Sequence, residues 1–367
     1  MPRIAIIGGG LVGRLTALQL AEQGFQTALF DRASRTGEQS AAYIAAAMLA
    51  PLAESVEATA QVVALGRQSL PMWQALVRRF NTAVFMQQAG SLMVWHRQDK
   101  PLAVQFEQHL HRAAGRADAA EHWQVAHIAA HEPQLAGRFQ TALYLPEEGQ
   151  LDNRQVLLAL ADALEQAGAA CHWHSDAEAA DLQTQFDWLI DCRGSGAQSD
   201  WNRPSEAAAA ASRLRGVRGE VARVYAPEIR LNRPVRLLHP RYPLYIAPKP
   251  DHIFVVGATQ IESESSAPVS VRSGLELLSA LYAVHPAFGE ADILELAANL
   301  RPTLNHHNPE IRYHQSRNLI EINGLFRHGF MIAPAVTAAA VRLLTALLRH
   351  ETPSVQDRPS GLVYTFL

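Results

Sequence analysis

The first thirty residues alternate between apolar and mixed blocks that predict a strand, a helix and a second strand. Arg3–Ile7 is a short apolar run, residues 11–24 carry apolar side chains at helical spacing, and Gln26–Asp31 is a second apolar run that ends in an acid. Short apolar runs bounded by turn residues are typical of buried strands. The pattern therefore predicts a βαβ unit at the start of the chain.

The rest of the chain continues to alternate between helical and strand patterns. Residues 56–80 are helical in pattern, and Pro71 is expected to divide them into two helices. Asp152 or Asn153 is expected to cap a helix in the middle of the chain. Strand patterns recur at 90–95, 141–145, 169–174, 186–192, 219–225, 237–245, 253–257 and 319–324. The third and fourth of these are expected to flank a short hairpin-like insert.

This order of elements predicts an α/β fold with two domains. A Rossmann-type nucleotide-binding domain, discontinuous in sequence, takes residues 1–82, 146–215 and 302–367. A sheet-rich α+β domain takes residues 83–145 and 216–301, and is expected to hold the substrate.

Three glycines after the first strand are spaced as in a dinucleotide-binding turn. Gly8 permits the tight turn, Gly10 lets the backbone approach a pyrophosphate, and Gly13 lets the helix pack closely on the strand. The helix N-terminus offers free N–H groups to the phosphates. Asp31, at the end of the second strand, can accept hydrogen bonds from the ribose hydroxyls. A dinucleotide site is therefore expected here.

Composition excludes several classes of partner and site. The 367 residues are 48% hydrophobic and 18% charged, and the formal net charge is −3 with no long run of one sign, so neither nucleic acid nor an anionic membrane is expected as a partner. Cys171 and Cys192 both lie in strand-like runs, which disfavours a disulfide framework and fits a reducing compartment. No histidine pair is joined by a third ligand at a recurrent spacing, so no metal site is expected.

One apolar stretch is long enough to suggest a membrane span. It covers Phe330–Leu348, but Pro334 near its start and Arg342 in its middle favour a buried helix, which we expect to begin near Ala335. The apolar N-terminal run is interrupted by glycines and is interpreted as a strand, not a signal peptide. The protein is therefore expected to be soluble and cytoplasmic.

Two absences in the sequence favour FAD over NAD as the dinucleotide. A second Gly-x-Gly-x-x-Gly motif is missing, which disfavours a flavoenzyme with its own NADPH domain. No Gly-Asp dipeptide occurs, which disfavours the aromatic hydroxylases that use one near the flavin ribitol. A flavoprotein reduced directly by a small organic donor is left.

Several later motifs follow one another in a characteristic order, and they are Arg215–Glu220, His239–Pro248, Val256–Thr259 with Ile261–Ser263, Leu300–Pro302 and Phe326–Pro334. Taken together they resemble the glycine oxidases of thiamine biosynthesis, which belong to the D-amino-acid-oxidase fold group. The resemblance implies FAD as cofactor, oxidation of glycine to the imine, dioxygen as acceptor with hydrogen peroxide as by-product, and a homotetramer.

The resemblance also implies roles for individual residues. Those matched to the cofactor site, beside Gly8, Gly10 and Gly13, are Leu11, Val12, Asp31, Arg32, Ala46, Ala47, Met48, Ala177, Leu325, Phe326, Arg327, His328, Gly329, Phe330 and Met331. Those matched to the substrate pocket are Tyr245, Arg301 and Arg327. The family usually has glycine where this chain has Ala47 and Asn299, which leaves the substrate preference open.

The chemistry of a small zwitterion agrees with these positions. A guanidinium is suited to a carboxylate because it makes two parallel hydrogen bonds, and Arg301, expected at the end of a strand and held by Pro302, fits that role. Tyr245 can donate to the same carboxylate. Arg327 is expected nearer the flavin, with a structural ion pair as its alternative. No side-chain base is required if a neutral amine passes a hydride to the flavin.

Three functions stay open at this point. The first is an oxidase of glycine or a similarly small amine such as sarcosine or a short D-amino acid. The second is a flavin-dependent dehydrogenase with another electron acceptor. The third is a non-catalytic FAD-binding protein, and an NAD-dependent dehydrogenase is a more distant fourth.

Overall fold

The computed structural model describes residues 1–115, 119–203, 212–240, 243–351 and 362–367. Within them a seven-stranded sheet contains the predicted βαβ unit, because β1 pairs in parallel with β2 on one side and β10 on the other. In spatial order its strands are β18 (Val363–Phe366), β16 (Glu310–His314), β17 (Leu319–Asn323), β10 (Trp188–Asp191), β1 (Arg3–Ile7), β2 (Gln26–Asp31) and β9 (Ala170–Trp173).

The second sheet is largely antiparallel and takes its strands from two separate stretches of the chain. In spatial order they are β15 (Asp292–Leu304), β11 (Leu214–Tyr225), β14 (Ile253–Gly257), β13 (Leu244–Pro248), β12 (Val235–Leu238), β5 (Ser91–Trp95), β7 (Thr141–Leu145) and β6 (Glu121–Gln124). A small third sheet has the order β3 (Met48–Leu49), β8 (Gly149–Leu151) and β4 (Met86–Gln87).

Helices cover the sheets. They are α1 (Leu11–Glu22), α2 (Ala41–Ile44), α3 (Pro51–Glu54), α4 (Ala60–Val77), α5 (Lys100–Ala114), α6 (Val125–His131), α7 (Asn153–Gln166), α8 (Ala179–Leu182), α9 (Gln198–Trp201), α10 (Val271–Val284) and α11 (Gly329–Leu348). Asp152 is the N-cap of α7, since its carboxylate accepts from the N–H groups of Arg154 and Gln155. The Rossmann-type parallel sheet beside a sheet-rich unit confirms the predicted fold class, while the domain boundaries stay a prediction.

The expected start of the last helix near Ala335 is wrong, because α11 already begins at Gly329. Pro334 removes the N–H that would bond the Phe330 carbonyl, yet the indole N–H of Trp73 donates to that carbonyl at 2.7 Å. One residue later, the N–H of Ala335 donates to the Ser69 hydroxyl at 3.1 Å. Contacts from α4 thus replace the hydrogen bonds that a helix loses at a proline.

The expected division at Pro71 is also wrong, because α4 is one helix from Ala60 to Val77. Pro71 has no N–H to donate to the carbonyl of Arg67. Both residues are exposed, so water can donate to that carbonyl instead. The opposite face of α4 is buried and carries Trp73, which is fully buried. Packing of that face keeps the helix continuous.

Two expectations about strands are corrected as well. The strands β9 and β10 do not flank a hairpin-like insert, since β9 pairs with β2 at the sheet edge and β10 lies between β1 and β17. The single strand expected at 237–245 is instead two antiparallel neighbours, β12 and β13.

Within the described residues, one helical segment, 326–348, is long and apolar enough to cross a membrane by length and composition. The most apolar part of it is 67% buried inside the protein. Its face toward α1 and α4 belongs to the core of the seven-stranded sheet. The segment therefore forms part of the hydrophobic core, as the sequence predicts.

Candidate active site

A cavity of about 910 Å³ runs from the turn after β1 to one face of the eight-stranded sheet. Its walls at one end include Gly8, Gly10 and Asp31, and at the other Tyr245 and Arg301. The cavity therefore joins the predicted nucleotide site to the predicted substrate residues.

The glycine turn is built by close approaches of backbone. Gly8 has a φ of +99°, and a Cβ there would lie 2.8 Å from the amide nitrogen of Arg193. A Cβ on Gly13 would lie 1.8 Å from the Gly8 carbonyl oxygen, so Gly13 is what lets α1 pack against the end of β1. Gly13 does not line the cavity and acts through this packing.

The long helices α1 and α11 both begin at the cavity, and neither N-terminus has a side-chain cap. The N-terminus of α1 follows Gly10, and that of α11 follows His328. A Cβ on Gly10 would meet only the Ser40 Cβ, at 3.7 Å, and one on Gly329 would meet nothing within 4 Å. Unpaired N–H groups and the positive end of the dipole at each helix make two places suited to an anion.

Asp31 lies beside the glycine turn, as its place at the end of β2 predicts. One carboxylate oxygen accepts from the N–H of Gly9, and the other accepts from the N–H of Ala33 at 2.6 Å. Each oxygen can accept a further hydrogen bond, so these contacts orient the carboxylate and leave it able to bind hydroxyl groups.

The far end of the cavity is a row of side chains on one face of the eight-stranded sheet. Tyr245 of β13 pairs with Gly257 of β14, and a Cβ on Gly257 would lie 2.8 Å from the Tyr245 hydroxyl oxygen. Arg301 crosses Gly219 of β11 in the same way, where a Cβ would lie 2.3 Å from the guanidinium carbon. Glycines inside these strands thus make room for the tyrosine and the arginine.

Arg301 lies within β15 and not at a strand end, which corrects the sequence expectation. The strand continues through Pro302 to Leu304, and proline is tolerated there because β15 is the edge of its sheet. One guanidinium nitrogen donates to the Thr259 carbonyl at 3.0 Å. Burial lowers the pKa of Arg301 and raises the pKa of Tyr245. An arginine side chain stays charged in proteins, and a tyrosine whose pKa is raised stays a neutral hydroxyl.

Arg327 reaches the same end of the cavity but is engaged in ion pairs. Its Nε lies 2.9 Å from Glu54 Oε2, and a terminal nitrogen contacts the exposed Glu57. The Glu54 carboxylate raises the pKa of Arg327 further. The structural ion pair named as the alternative for Arg327 is therefore present, and a substrate role for Arg327 stays a prediction.

Sequence reasoning missed Glu54 and Arg236, which also line this end of the cavity. Arg236 of β12 is paired in register with Tyr245, and its NH2 lies 2.7 Å from Glu54 Oε1. The two residues are 182 positions apart in sequence, and neither belongs to a local motif. The sequence signal for this end of the cavity was limited to Gly257 and Gly219, which contact Tyr245 and Arg301. An isolated glycine in a strand indicates that another group approaches the backbone closely.

The segment matched to the flavin ring lies between the two ends of the cavity. Ala47 has a φ of +51°, a left-handed conformation that favours glycine, the residue usual at this position in the resembled family. The buried Lys249 ammonium supports the segment by donating to the Ala46 carbonyl at 2.8 Å and the Leu151 carbonyl at 2.5 Å. Burial lowers the pKa of Lys249 to about 7.

A family model for FAD-dependent oxidoreductases, named DAO, matches residues 3–343. The chain belongs to this family. The DAO match covers the eight-stranded sheet, all of the seven-stranded sheet except β18, and both ends of the cavity, and it makes the chain an FAD-dependent oxidoreductase. FAD is therefore the dinucleotide for which the glycine turn is built.

Individual relatives of this DAO-family chain are similar over nearly its full length. A Rhizobium etli protein named as a thiamine biosynthesis oxidoreductase, ThiO, is 39% identical over 344 residues, which are 94% of this chain and 97% of that protein. A glycine oxidase of Geobacillus kaustophilus is 24% identical over 90% of this chain and 89% of its own. The crystal structure of glycine oxidase from Bacillus cereus has the same fold, with a TM-score of 0.78, 21% identity and coverage of 97% and 99% of the two chains.

The residues present fit FAD. Asp31 and the α1 N-terminus would hold the ribose and pyrophosphate, and the α11 N-terminus would face the flavin end. The protein itself would leave room for a methyl group at Gly10. The lack of a side chain at this position is therefore explained by a ligand that approaches the backbone from the cavity. Of the predicted cofactor residues, those that line the cavity are Gly8, Gly10, Leu11, Val12, Asp31, Arg32, Ala46, Ala47, Met48, Ala177 and every residue from Leu325 to Met331.

Asn299, the second departure from the resembled family, also lines the cavity. Its side-chain amide donates to the Gln39 carbonyl at 3.2 Å, and its carbonyl oxygen accepts from the N–H of Leu300. The side chain thus ties β15 to the loop after β2. A polar group is added at the cavity wall, but no charge.

Glu148 lies fully buried behind α3, and its titration gives a testable dependence of stability on pH. Its carboxylate accepts from the N–H of Ala53 at 2.6 Å and contacts the Ser91 hydroxyl. Burial raises the pKa of Glu148 from 4.5 to about 7. The folded protein therefore binds more protons at this site than the unfolded chain between these pH values, and its contribution to stability falls as the pH rises through that window.

Glu148→Gln is accordingly expected to raise the free energy of unfolding at pH 8 by about 1–3 kcal/mol, because the amide avoids burying a charge. At pH 4.5 the gain should vanish. Urea unfolding at both pH values measures the difference, with Glu147→Gln at the exposed neighbouring position as the control. An equal effect of Glu148→Gln at the two pH values would contradict the assignment.

Proposed function

We propose that the chain oxidises glycine, or a similarly small amine, to the imine with dioxygen as electron acceptor and hydrogen peroxide as by-product, in thiamine thiazole synthesis. The names of the Rhizobium etli ThiO and the Geobacillus glycine oxidase support the substrate class and the pathway. FAD supplies a ring that accepts a hydride from the α-carbon and passes the electrons on.

The observation that carries the proposal is the partly buried guanidinium of Arg301. Among the described residues it has no carboxylate partner, and the one hydrogen bond it donates there goes to the Thr259 carbonyl. A partly buried cation without an ion-pair partner is costly unless a ligand supplies the negative charge. A carboxylate bound by Arg301 and by the Tyr245 hydroxyl would supply it, and the substrate amine and α-carbon would then extend toward the middle of the cavity.

Backbone N–H groups would meet the other requirement of the reaction, which is to stabilise negative charge on the reduced cofactor. A neutral amine can lose a hydride from its α-carbon without a side-chain base. The uncapped N-terminus of α11, at Gly329, would stabilise negative charge that develops at that end of the cofactor site. Because α11 begins at Gly329 and not near Ala335, the N–H groups in this role would belong to the first turn of the helix.

Anaerobic mixing of the FAD-loaded protein with glycine tests the proposal. Bleaching of the flavin absorbance is expected, followed in air by recovery of the colour with one hydrogen peroxide per turnover. Reduction without peroxide would favour a dehydrogenase with another acceptor. A flavin that stays oxidised with glycine, sarcosine and short D-amino acids would reject both enzymatic functions.

Gly219→Ala offers a test of the substrate end alone. The new methyl would lie 2.3–2.7 Å from three atoms of the Arg301 guanidinium, which must move because the methyl is fixed to the strand. We expect KM for glycine to rise roughly tenfold or more, because a displaced guanidinium loses its two parallel hydrogen bonds to the carboxylate, while FAD affinity is unchanged. Gly274→Ala, where the methyl would meet one side chain at 3.8 Å, is the matched control. Equal KM values in both variants would refute the role of Gly219.

Self-association and location in the cytoplasm are proposed as well. Exposed apolar side chains on α10 and β15 support an oligomer, and they are Val271, Leu275, Tyr282, Ile293, Leu294 and Leu296. Light scattering that gives a mass near four times 40.2 kDa would fit the tetramer implied by the resemblance. A monomer mass would contradict it.

A further inference from the structure

Glu54, the last residue of α3, is the centre of a buried charge cluster at the substrate end of the cavity. Its Oε1 lies 2.7 Å from Arg236, and its Oε2 lies 2.9 Å from Arg327 and 3.1 Å from the imidazole of His328. The side chains of Glu54 and Arg236 are only 10% and 12% exposed. The cluster joins α3, the eight-stranded sheet and the turn before α11.

Glu54 is a carboxylate and not a carboxylic acid. Burial by itself would raise the pKa of Glu54, but the guanidinium groups of Arg327 and Arg236 outweigh burial and hold that pKa well below its usual range. The exposed Glu57 adds a second negative charge beside Arg327. Glu54 by itself thus pairs with both guanidinium groups.

Arg301 lies near this cluster but outside it. The Arg301 guanidinium donates to the carbonyl of Thr259, and Arg327 donates to the side chain of the next residue, Gln260, at 3.3 Å. Of the three guanidinium groups at this end of the cavity, only that of Arg301 has no carboxylate partner among the described residues.

We propose that Glu54 determines specificity by restricting the site to amines that carry a single carboxylate. The inference rests on the proposed function in one respect, that Arg301 binds the carboxylate of the substrate. Glu54 occupies Arg236 and Arg327, so a second carboxylate on a ligand finds no free cation. This second carboxylate would also lie near the negative charge of Glu54, and like charges brought together in a partly buried site repel.

The position of Arg236 supports this role. Arg236 and Tyr245 are directly opposite in neighbouring strands and therefore on the same face of the sheet, and both line the cavity. The Nε–H of Arg236 is buried without a hydrogen-bond partner. If Glu54 lost its charge, Arg236 would become a cation available to a second carboxylate beside Tyr245.

Glu54→Gln tests the proposal because it removes the charge and keeps the shape. The probes are acetate and malonate, a monocarboxylate and a dicarboxylate that carry no oxidisable amine, and the readout is the shift in flavin absorbance of the FAD-loaded protein on titration. The ratio of the malonate Kd to the acetate Kd is expected to fall at least tenfold in Glu54→Gln. Glu57→Gln, which removes a charge that is 62% exposed, should leave the ratio within twofold of the wild type. An unchanged ratio in Glu54→Gln would overturn the proposal.

A second variant decides the matter if Glu54→Gln does not fold or load FAD. Arg236→Met leaves Glu54 paired with Arg327 and His328, so no buried carboxylate is stranded. Because Glu54 already neutralises Arg236, acetate affinity should stay within threefold of the wild type, whereas Arg301→Met should lose it. Equal losses in the two variants would show that Arg236 is free to bind anions and would overturn the proposal.

The outcomes separate this inference from the proposed function. If acetate binds through Arg301 and the ratio shifts as expected, but glycine does not reduce the flavin, the role of Glu54 stands and the proposed reaction fails. If the wild-type protein binds neither acetate nor malonate, the site does not take carboxylates, and the role of Glu54 is rejected.

Discussion

Replacing Arg301 with alanine is expected to lower kcat/KM for glycine by roughly 10²–10³-fold, while the protein keeps its FAD and its yellow colour. The loss follows from the proposed charge-assisted contact of this partly buried guanidinium with the carboxylate, since truncating one partner of such a pair costs about 2–5 kcal/mol. FAD should remain bound because Asp31 and the α1 N-terminus, which would hold the ribose and pyrophosphate, lie at the other end of the cavity. Steady-state kinetics and the flavin spectrum of the purified variant measure both effects.

Two further arginine variants sharpen the result. Arg301→Lys keeps a cation but loses the planar fork, so an intermediate loss is expected. Arg215→Ala is the matched control, because Arg215 lies on the neighbouring strand, pairs with the exposed Glu262 and does not line the cavity. Unchanged glycine affinity in Arg301→Ala would contradict the assignment of Arg301 as the residue that binds the substrate carboxylate.

Gly13→Ala is expected to destabilise the apoprotein by at least about 3 kcal/mol and to abolish FAD binding. The methyl would lie 1.8 Å from the Gly8 carbonyl oxygen, so α1 must move away from β1. Overpacking against backbone is at the upper end of its usual cost because no side chain can turn aside. Urea unfolding of the apoprotein and FAD titration measure the two losses.

Gly10→Ala makes the same chemical change three residues earlier and should behave differently. Its methyl would meet only the Ser40 Cβ, at 3.7 Å, so the apoprotein should keep its stability. FAD affinity should nevertheless fall at least about tenfold, because the methyl would occupy the place where the pyrophosphate approaches the backbone. A loss of apoprotein stability equal to that of Gly13→Ala would contradict the distinction between packing and cofactor approach.

Local sequence patterns predicted the parts of the fold that depend on local chemistry. The βαβ unit from Arg3 to Asp31 is present with the predicted order, because apolar runs, a glycine turn and an acid at a strand end each have a local physical cause. The fold class followed from it. The elements that failed were those in which tertiary contacts override local preference, as where Trp73 and Ser69 compensate for Pro334.

The candidate site was predictable in part for the same reason. Motifs identified Arg301 and Tyr245, but the expected strand end at Arg301 was wrong because Pro302 lies on an edge strand, where no hydrogen-bond partner is required. Glu54 and Arg236 could not be found from the sequence, since their contact depends on how α3 meets a strand 182 residues later. Charge balance within a site is a property of the folded chain.

The uncapped N-termini of α1 and α11 should make the stability of the folded protein depend on the supply of FAD in the cell. Helices α1 and α11 both present unpaired N–H groups to one cavity of about 910 Å³, so the apoprotein leaves these groups to water while FAD would engage them. A ligand that binds only the folded state stabilises it by mass action, by about 2.7 kcal/mol at a hundred times its Kd. The abundance of the folded protein should therefore follow the intracellular FAD concentration, and riboflavin limitation should act on its half-life as well as on its activity.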